Sequence, residues 1–324
     1  MARGTNPEQL EDELVEACSS GDEARARALL LTRGEQPRKA RALLEALLQA
    51  PDTRARQAAA FGLGELGGPA STRRLEQQLV LEEARGDHDG ASVAEAITLA
   101  LGRIEGASAR ASLRRRLERL ASNNPNPADV NMVAYELWRR RHPDLIPSVR
   151  KSLERLVLPA PNVLNSLLVL LEKSPDELRA WALDPSIPIE DKTGVLALLE
   201  EDLPEALIAI LHSFISAAHA SCETAPGLKT AAVYYVERLC SLLLKHKERV
   251  LSALPAPLRS ELRDMARKMI VATAPNSSLR AALLLQFVGQ SEDAALLEAH
   301  RPAEPILAGA FDEAARVLRG HQEE

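Results

Sequence analysis

Sliding the chain past itself by 38 residues lays Ala59, Leu63, Gly64 and Leu66 on Ile97, Leu101, Gly102 and Ile104, and Leu75 and Leu79 on Leu113 and Leu117. A further step of 36 residues carries Leu113, Leu117 and Leu120 onto Val149, Leu153 and Leu156. Self-similarity at such an interval marks an array of supersecondary units, each too small to bury its own apolar face and completed by its neighbour. Within one copy, Gly67-Gly68-Pro69 separates a helical stretch at 52–66 from another at 70–85, which predicts an antiparallel helix pair. Further pairs are predicted at 92–105 with 108–121 and at 128–141 with 145–157.

Composition supports an all-α chain. Ala, Leu, Glu and Arg dominate, aromatic residues are 3%, and no stretch alternates apolar and polar β-branched residues as a half-buried strand would. Prolines such as Pro37, Pro51, Pro69, Pro143, Pro175, Pro204, Pro255 and Pro275 fall between the apolar-periodic stretches, where proline is tolerated. The expected architecture is an α-solenoid of stacked antiparallel helix pairs with a right-handed superhelical twist, running as one continuous array. Residues 1–36 read as an N-terminal helical cap, with two short helices around Ser20-Gly21-Asp22. Residues 37–157 read as the regular repeats. Residues 158–324 read as degenerate helical repeats ending in a further regular unit at 275–301.

Two later segments echo the start of the clearest unit, Pro51-Asp52-Thr53-Arg54-Ala55-Arg56. Pro275-Asn276-Ser277-Ser278-Leu279-Arg280 matches it in length, and Ser174-Pro175-Asp176-Glu177-Leu178-Arg179 is one residue shorter. The pattern P-D-x-x-[apolar]-R, followed by small and leucine positions and by L-G-x-L-G at 63–67, resembles the HEAT-like repeats of bacteria, including those of phycobilin lyases. The opening LVEACSSGDEARARALL also resembles the first helix pair of an ankyrin array, without its TPLH signature. The residues carry their own physical reading as well. Ala58, Ala59 and Ala60 are expected to let helices approach closely, Leu63 and Leu66 to fill the space between layers, and Asp52 to cap the first turn. Arg56 is expected to pair with a carboxylate of a neighbouring unit.

The formal net charge of -6 works against global attraction to nucleic acid or anionic lipid. Cys18, Cys222 and Cys240 are odd in number and widely spaced, which suggests neither a disulfide framework nor a zinc site and fits a reducing cytoplasm. The N-terminal segment is acidic at Glu8, Glu11, Asp12 and Glu13, unlike a secretory signal. The weakly charged run from Ala206 to Cys222 is read as a buried helix, and no membrane insertion is expected. His212 and His219 are too far apart on a helix to share a metal, and Gly86-Asp87-His88-Asp89-Gly90 is read as an exposed loop. No phosphate-loop, dinucleotide, nucleophile-elbow or zinc-protease motif is present, so no catalytic residue, cofactor or metal ligand is assigned.

A repeat surface without such motifs points to a scaffold or adaptor binding a protein partner. The concave face is expected to be built by the second helices, with Arg74, Gln78, Arg115, Arg116 and Arg119 as contact residues and Trp138 and Arg140 as an aromatic and cationic anchor. Two other classes stay open. The arginine-rich stretch 103–155 offers an anion-binding surface for nucleic acid. The family resemblance implies a bilin-holding groove, and HEAT-like DNA glycosylases prompt comparison with Trp138, Trp181 and the arginine cluster.

Overall fold

A computed structural model of the chain describes residues 7–20, 22–31, 37–123, 125–157, 162–223 and 230–320. The chain divides into two compact units, Met1–Val157 and Leu158–Glu324. Among the described residues every regular element is a helix. The first unit holds α1 (Pro7–Ser19), α2 (Glu23–Leu31), α3 (Pro37–Leu47), α4 (Thr53–Leu66), α5 (Gly68–Arg85), α6 (His88–Arg103), α7 (Ala107–Leu120), α8 (Pro127–Arg139) and, after a 3-10 turn at Pro143–Leu145, α9 (Ile146–Leu153). Gly21, in the expected turn between α1 and α2, lies outside the described residues.

Local chemistry sets these boundaries. Asp52 accepts a hydrogen bond from the Ala55 amide at 2.9 Å and starts α4. Gly67 and Gly68 have φ of 60° and 78°, a left-handed backbone that favours glycine, and Pro69 then opens α5. The helix expected at 92–105 begins four residues earlier, because Asp87 accepts from the Gly90 amide at 2.6 Å and makes the Gly86–Gly90 segment a helix start rather than a loop. The last pair also differs: α9 ends at Leu153, short of the expected 157.

The repeated leucines are interior at some positions, while Leu66, Leu120, Leu153 and Leu156 are only partly buried. Leu63 and Leu101, Leu75 and Leu113, and Leu79 and Leu117 are all fully buried. Helix contacts run along two files: α3, α4, α6 and α8 pack in succession, while α5, α7 and α9 form the second series, and α5 and α7 also pack on α6 and α8 respectively. The two files meet their neighbours through different chemistry. Along the first, small residues dominate: a Cβ on Gly64 would stand 3.0 Å from the Ala100 Cβ and 3.1 Å from its Cα, and one on Gly62 would overlap Leu44. Along the second, α5 and α7 are joined by arginine–glutamate pairs, Arg115 with Glu76 and both Arg116 and Arg119 with Glu83.

Gly64→Val should therefore overpack the α4–α6 contact and lower unfolding free energy by about 1–3 kcal/mol, because the obstacle is Ala100 backbone rather than a pliable side-chain tip. Gly309→Ala, at a position with nothing within 4 Å, should instead stabilise by about 0.5–1 kcal/mol. Urea unfolding followed by circular dichroism measures both, and an unaltered Gly64→Val midpoint would rule out close packing there.

The second unit holds α10 (Val163–Glu172), α11 (Pro175–Leu183), α12 (Ile189–Glu201), α13 (Leu211–Glu223), α14 (Thr230–Lys245), α15 (Lys247–Val250), α16 (Ala256–Ala272), α17 (Pro275–Val288), α18 (Asp293–Ala299) and α19 (Pro305–Gly320), with 3-10 turns at Glu205–Ile210 and Leu251–Ala253. Again contacts follow two series, α10–α12–α14–α17–α19 and α11–α13–α16–α18. Ser174 and Glu177 form a reciprocal capping box at the start of α11. Asp293 is fully buried, yet its carboxylate is held by Arg263 at 2.6 Å, by Arg267 at 3.1 Å and by the Gln290 amide at 2.8 Å.

The stretch Glu205–Cys222 is long and apolar enough to cross a membrane by length and composition alone. In this unit it folds as a 3-10 turn followed by α13, with Ile210, Leu211, Phe214, Ile215 and Ala218 buried. Phe214 packs beside Trp181, ring centroids 6.4 Å apart, and its carbonyl accepts from the buried Tyr235 hydroxyl at 3.0 Å.

Candidate functional site

Helical geometry divides the seven residues singled out by the sequence. On α5, Arg74 and Gln78 lie one turn apart on one flank, whereas Glu76 and Glu83, the partners of the α7 arginines, fall on the opposite flank. Arg74 and Gln78 therefore do not share a surface with Arg115 and Arg119. Gln78 is only 5% exposed and donates to the buried Glu82 at 2.7 Å while accepting from Gln49. Among the described residues Arg74 reaches no carboxylate; its guanidinium is 3.5 Å from the Gln77 amide oxygen.

On α7, Arg115 is exposed, Arg119 half-buried and Arg116 only 2% exposed. Arg116 donates to Glu83 at 3.1 Å and to the Ala94 carbonyl at 3.2 Å. Burial pulls its pKa down while Glu83 and Asp129 act against that shift. Arg116 is thus an interior strut between α7, α5 and α6. Trp138 is 1% exposed, packed in the core with Arg141 over its ring at 4.6 Å. An indole so enclosed presents no surface to a partner. Arg140 spends its donors on the Gly102 carbonyl at 2.7 Å and the Arg103 carbonyl at 2.9 Å, capping the C-terminal end of α6.

Two further arginines of the stretch are held by carboxylates of the chain, while Lys151 and Arg155 at its end stay exposed. Arg110 makes a bidentate pair with Asp144 at 2.9 and 2.8 Å, and that contact holds the Asp144 carboxyl below the usual carboxylate range. Arg103 pairs with Glu23 on α2. Arg56, expected to reach a neighbouring unit, instead pairs at 2.9 Å with Glu82 on α5, the second helix of its own pair, and donates to the Ala50 and Pro51 carbonyls. Both charges are in the interior, Arg56 3% and Glu82 1% exposed.

Open concavities lie elsewhere: one of about 690 Å³ between α1 and the start of α4, lined by Asp12, Val15, Glu16 and Arg54, and two on the series of first helices. In the first unit a cleft of about 440 Å³ runs over α4 and α6, bordered by Cys18 of α1 and Glu23 of α2. Its floor holds Phe61, Ala96 and Leu99; the Phe61 ring lies between the Arg103 guanidinium at 4.8 Å and that of Arg27 at 5.9 Å. Burial pushes the Cys18 thiol up to about 11, so it is a poor nucleophile at neutral pH. In the second unit a cleft of about 560 Å³ lies over α12, α14 and α17, with Tyr234 61% exposed on one wall. The 38-residue shift does align Phe61 with Leu99, and that pairing is the one signal in the sequence that an outward apolar row accompanies the buried one.

Among the described residues no group of three or more His, Cys, Asp or Glu side chains could hold a metal ion. Asp87, in the segment weighed for cation binding, is taken up by the Gly90 amide and by Arg85, and these hydrogen bonds keep its carboxyl below the ordinary range. No protein-family model matches the chain, and no curated protein matches its sequence.

Proposed function

We propose that the chain is a non-catalytic scaffold of HEAT-like character, each unit an α-solenoid of stacked antiparallel helix pairs that binds a protein partner. We place the partner on the face of the first helices rather than on the second-helix face expected from spacing. The observation that carries this reading is that both units open a cleft on the first-helix series, floored or walled by exposed apolar or aromatic side chains. Curvature gives the same direction. In a solenoid, a series joined through Gly and Ala can pack closer than one joined through Arg–Glu pairs, which favours the first-helix series as its inner face. The internal pairing of Arg103, Arg110, Arg115, Arg116 and Arg119 leaves less cationic surface for a phosphate backbone than the sequence count suggests, which favours the protein-binding reading over nucleic acid.

A photo-crosslinking residue placed at Leu99, in the first-unit cleft, should capture a discrete protein in native lysate at both low and high salt. The same probe at Leu81, exposed on α5, should not. Crosslinks from Leu81 alone, or recovery of salt-labile nucleic acid absorbing at 260 nm without a protein, would overturn the reading. Visible colour taken up from added bilin would favour the pigment-binding alternative.

A further inference from the structure

The cleft of the second unit has a defined chemistry. Thr230, Tyr234, Glu237 and Ser241 follow one another at i+4, i+3 and i+4 and so form one stripe along α14, facing Glu190 and Thr193 of α12 on one side and Arg280 of α17 on the other. Three of the polar groups are already engaged: Arg238 and Ser241 both donate to Glu200, at 2.7 and 2.6 Å, and Thr193 donates to the Ile189 carbonyl at 2.8 Å. Glu190, Glu237 and Arg280 are not; among the described residues none of them makes an ion pair or hydrogen bond. The uncommitted charge in the cleft is therefore two carboxylates against one guanidinium, beside an exposed phenol ring.

The surrounding field has the same sign. Residues 158–324 carry 16 Lys and Arg against 23 Asp and Glu, whereas residues 1–157 carry 24 against 23. An acidic body with unpaired carboxylates in a cleft attracts cationic ligands and raises their encounter rate. A tyrosine face held near those carboxylates adds a cation–π site.

We propose that this cleft receives a Lys- or Arg-bearing segment of the partner protein, its cation set against the Tyr234 ring and the carboxylates of Glu237 and Glu190. The inference rests on the scaffold reading and names the partner's chemistry at this site. Arg280 gives it a directional signature. Its guanidinium repels the incoming cation, so removing it strengthens a cationic ligand and weakens an anionic one.

The test uses the full chain and two labelled peptides of equal length, one alternating leucine with lysine and arginine, the other alternating leucine with glutamate, followed by fluorescence anisotropy at low and high salt. The cationic peptide should bind and weaken with salt. Tyr234→Ala should cost about threefold in affinity and the double variant Glu190→Gln/Glu237→Gln about tenfold, while Arg280→Ala should gain about threefold. Tyr234→Phe keeps the ring face and should change nothing. Preference for the acidic peptide, no binding of either, or a cationic affinity indifferent to the double variant would overturn the proposal. If the peptides fail while Leu99 still crosslinks a protein, the inference falls alone; if both fail, the scaffold reading falls with it.

Discussion

Leu63→Asp is expected to unfold the first unit at room temperature or leave it with only residual helical signal. Leu63 is fully buried between α4 and its neighbours. Truncating such a leucine costs about 2–5 kcal/mol in lost transfer energy and residual cavity. The aspartate adds a carboxyl group with no partner at that depth, and either its charge or its protonation has to be accommodated in an apolar site. Since a whole domain is stable by only about 5–15 kcal/mol, the combined loss takes most of the available stability. Leu63→Met, nearly equal in volume, should cost less than about 1.5 kcal/mol. Urea titrations of the three proteins decide the matter; a Leu63→Asp midpoint close to that of Leu63→Met would mean the side chain is not enclosed.

Glu82→Ala has the second largest expected effect, and its mechanism differs. Glu82 and Arg56 are interior charges paired at 2.9 Å, with Gln78 donating to the same carboxylate. Removing the acid strands the guanidinium in the core, and breaking a buried pair from one side costs about 3–5 kcal/mol. The pair itself is worth much less, because the desolvation of two ions offsets most of their attraction. Arg56→Met combined with Glu82→Leu should consequently recover most of the stability lost in Glu82→Ala. A double variant as unstable as the single one would show that the hydrogen bonds from Arg56 to the Ala50 and Pro51 carbonyls, rather than the ion pair, hold α4 at that end.

The three occurrences of the proline-led motif show where reading the sequence succeeds and where it stops. In the first, Pro51 precedes the cap, Asp52 caps α4, and Arg56 turns into the core. In the other two the proline is itself the first helical residue, with Ser174 or Ala274 in the capping position. Counted from the first helical residue, the arginine is fourth in α4, fifth in α11 and sixth in α17, so it is turned by one helical step in the second copy and by two in the third. Arg179 stays at the surface beside Asp176, and Arg280 lines the second-unit cleft with no partner among the described residues. The letters match while the roles do not, because a helix advances about 100° per residue and the motif is anchored to the helix start.

Trp138 and the α7 arginines show the same limit for the site. Their residue types fit an interface anchor, but whether a tryptophan is an anchor or a core residue depends on what is packed over it, and here Arg141 and the α6–α8 contact cover the ring. Phe61 and Tyr234 fall at positions with ordinary helical spacing, yet Phe61 is only half-buried and Tyr234 is exposed.

What the sequence by itself determined is the helical class, the bounds of α4, α5, α7 and α8 to within two residues, and the register of the buried leucines of those helices, since propensity, proline exclusion, side-chain caps and 3.6-residue periodicity act within a few residues of chain. The tertiary structure alone decided which charges are interior, as for Glu82, Arg116 and Asp293, and which face carries the clefts. Those outcomes depend on the distance between helices that are tens of residues apart, and that distance is set where a glycine meets an alanine, as Gly64 meets Ala100, or where an arginine must reach a glutamate, as Arg115 reaches Glu76.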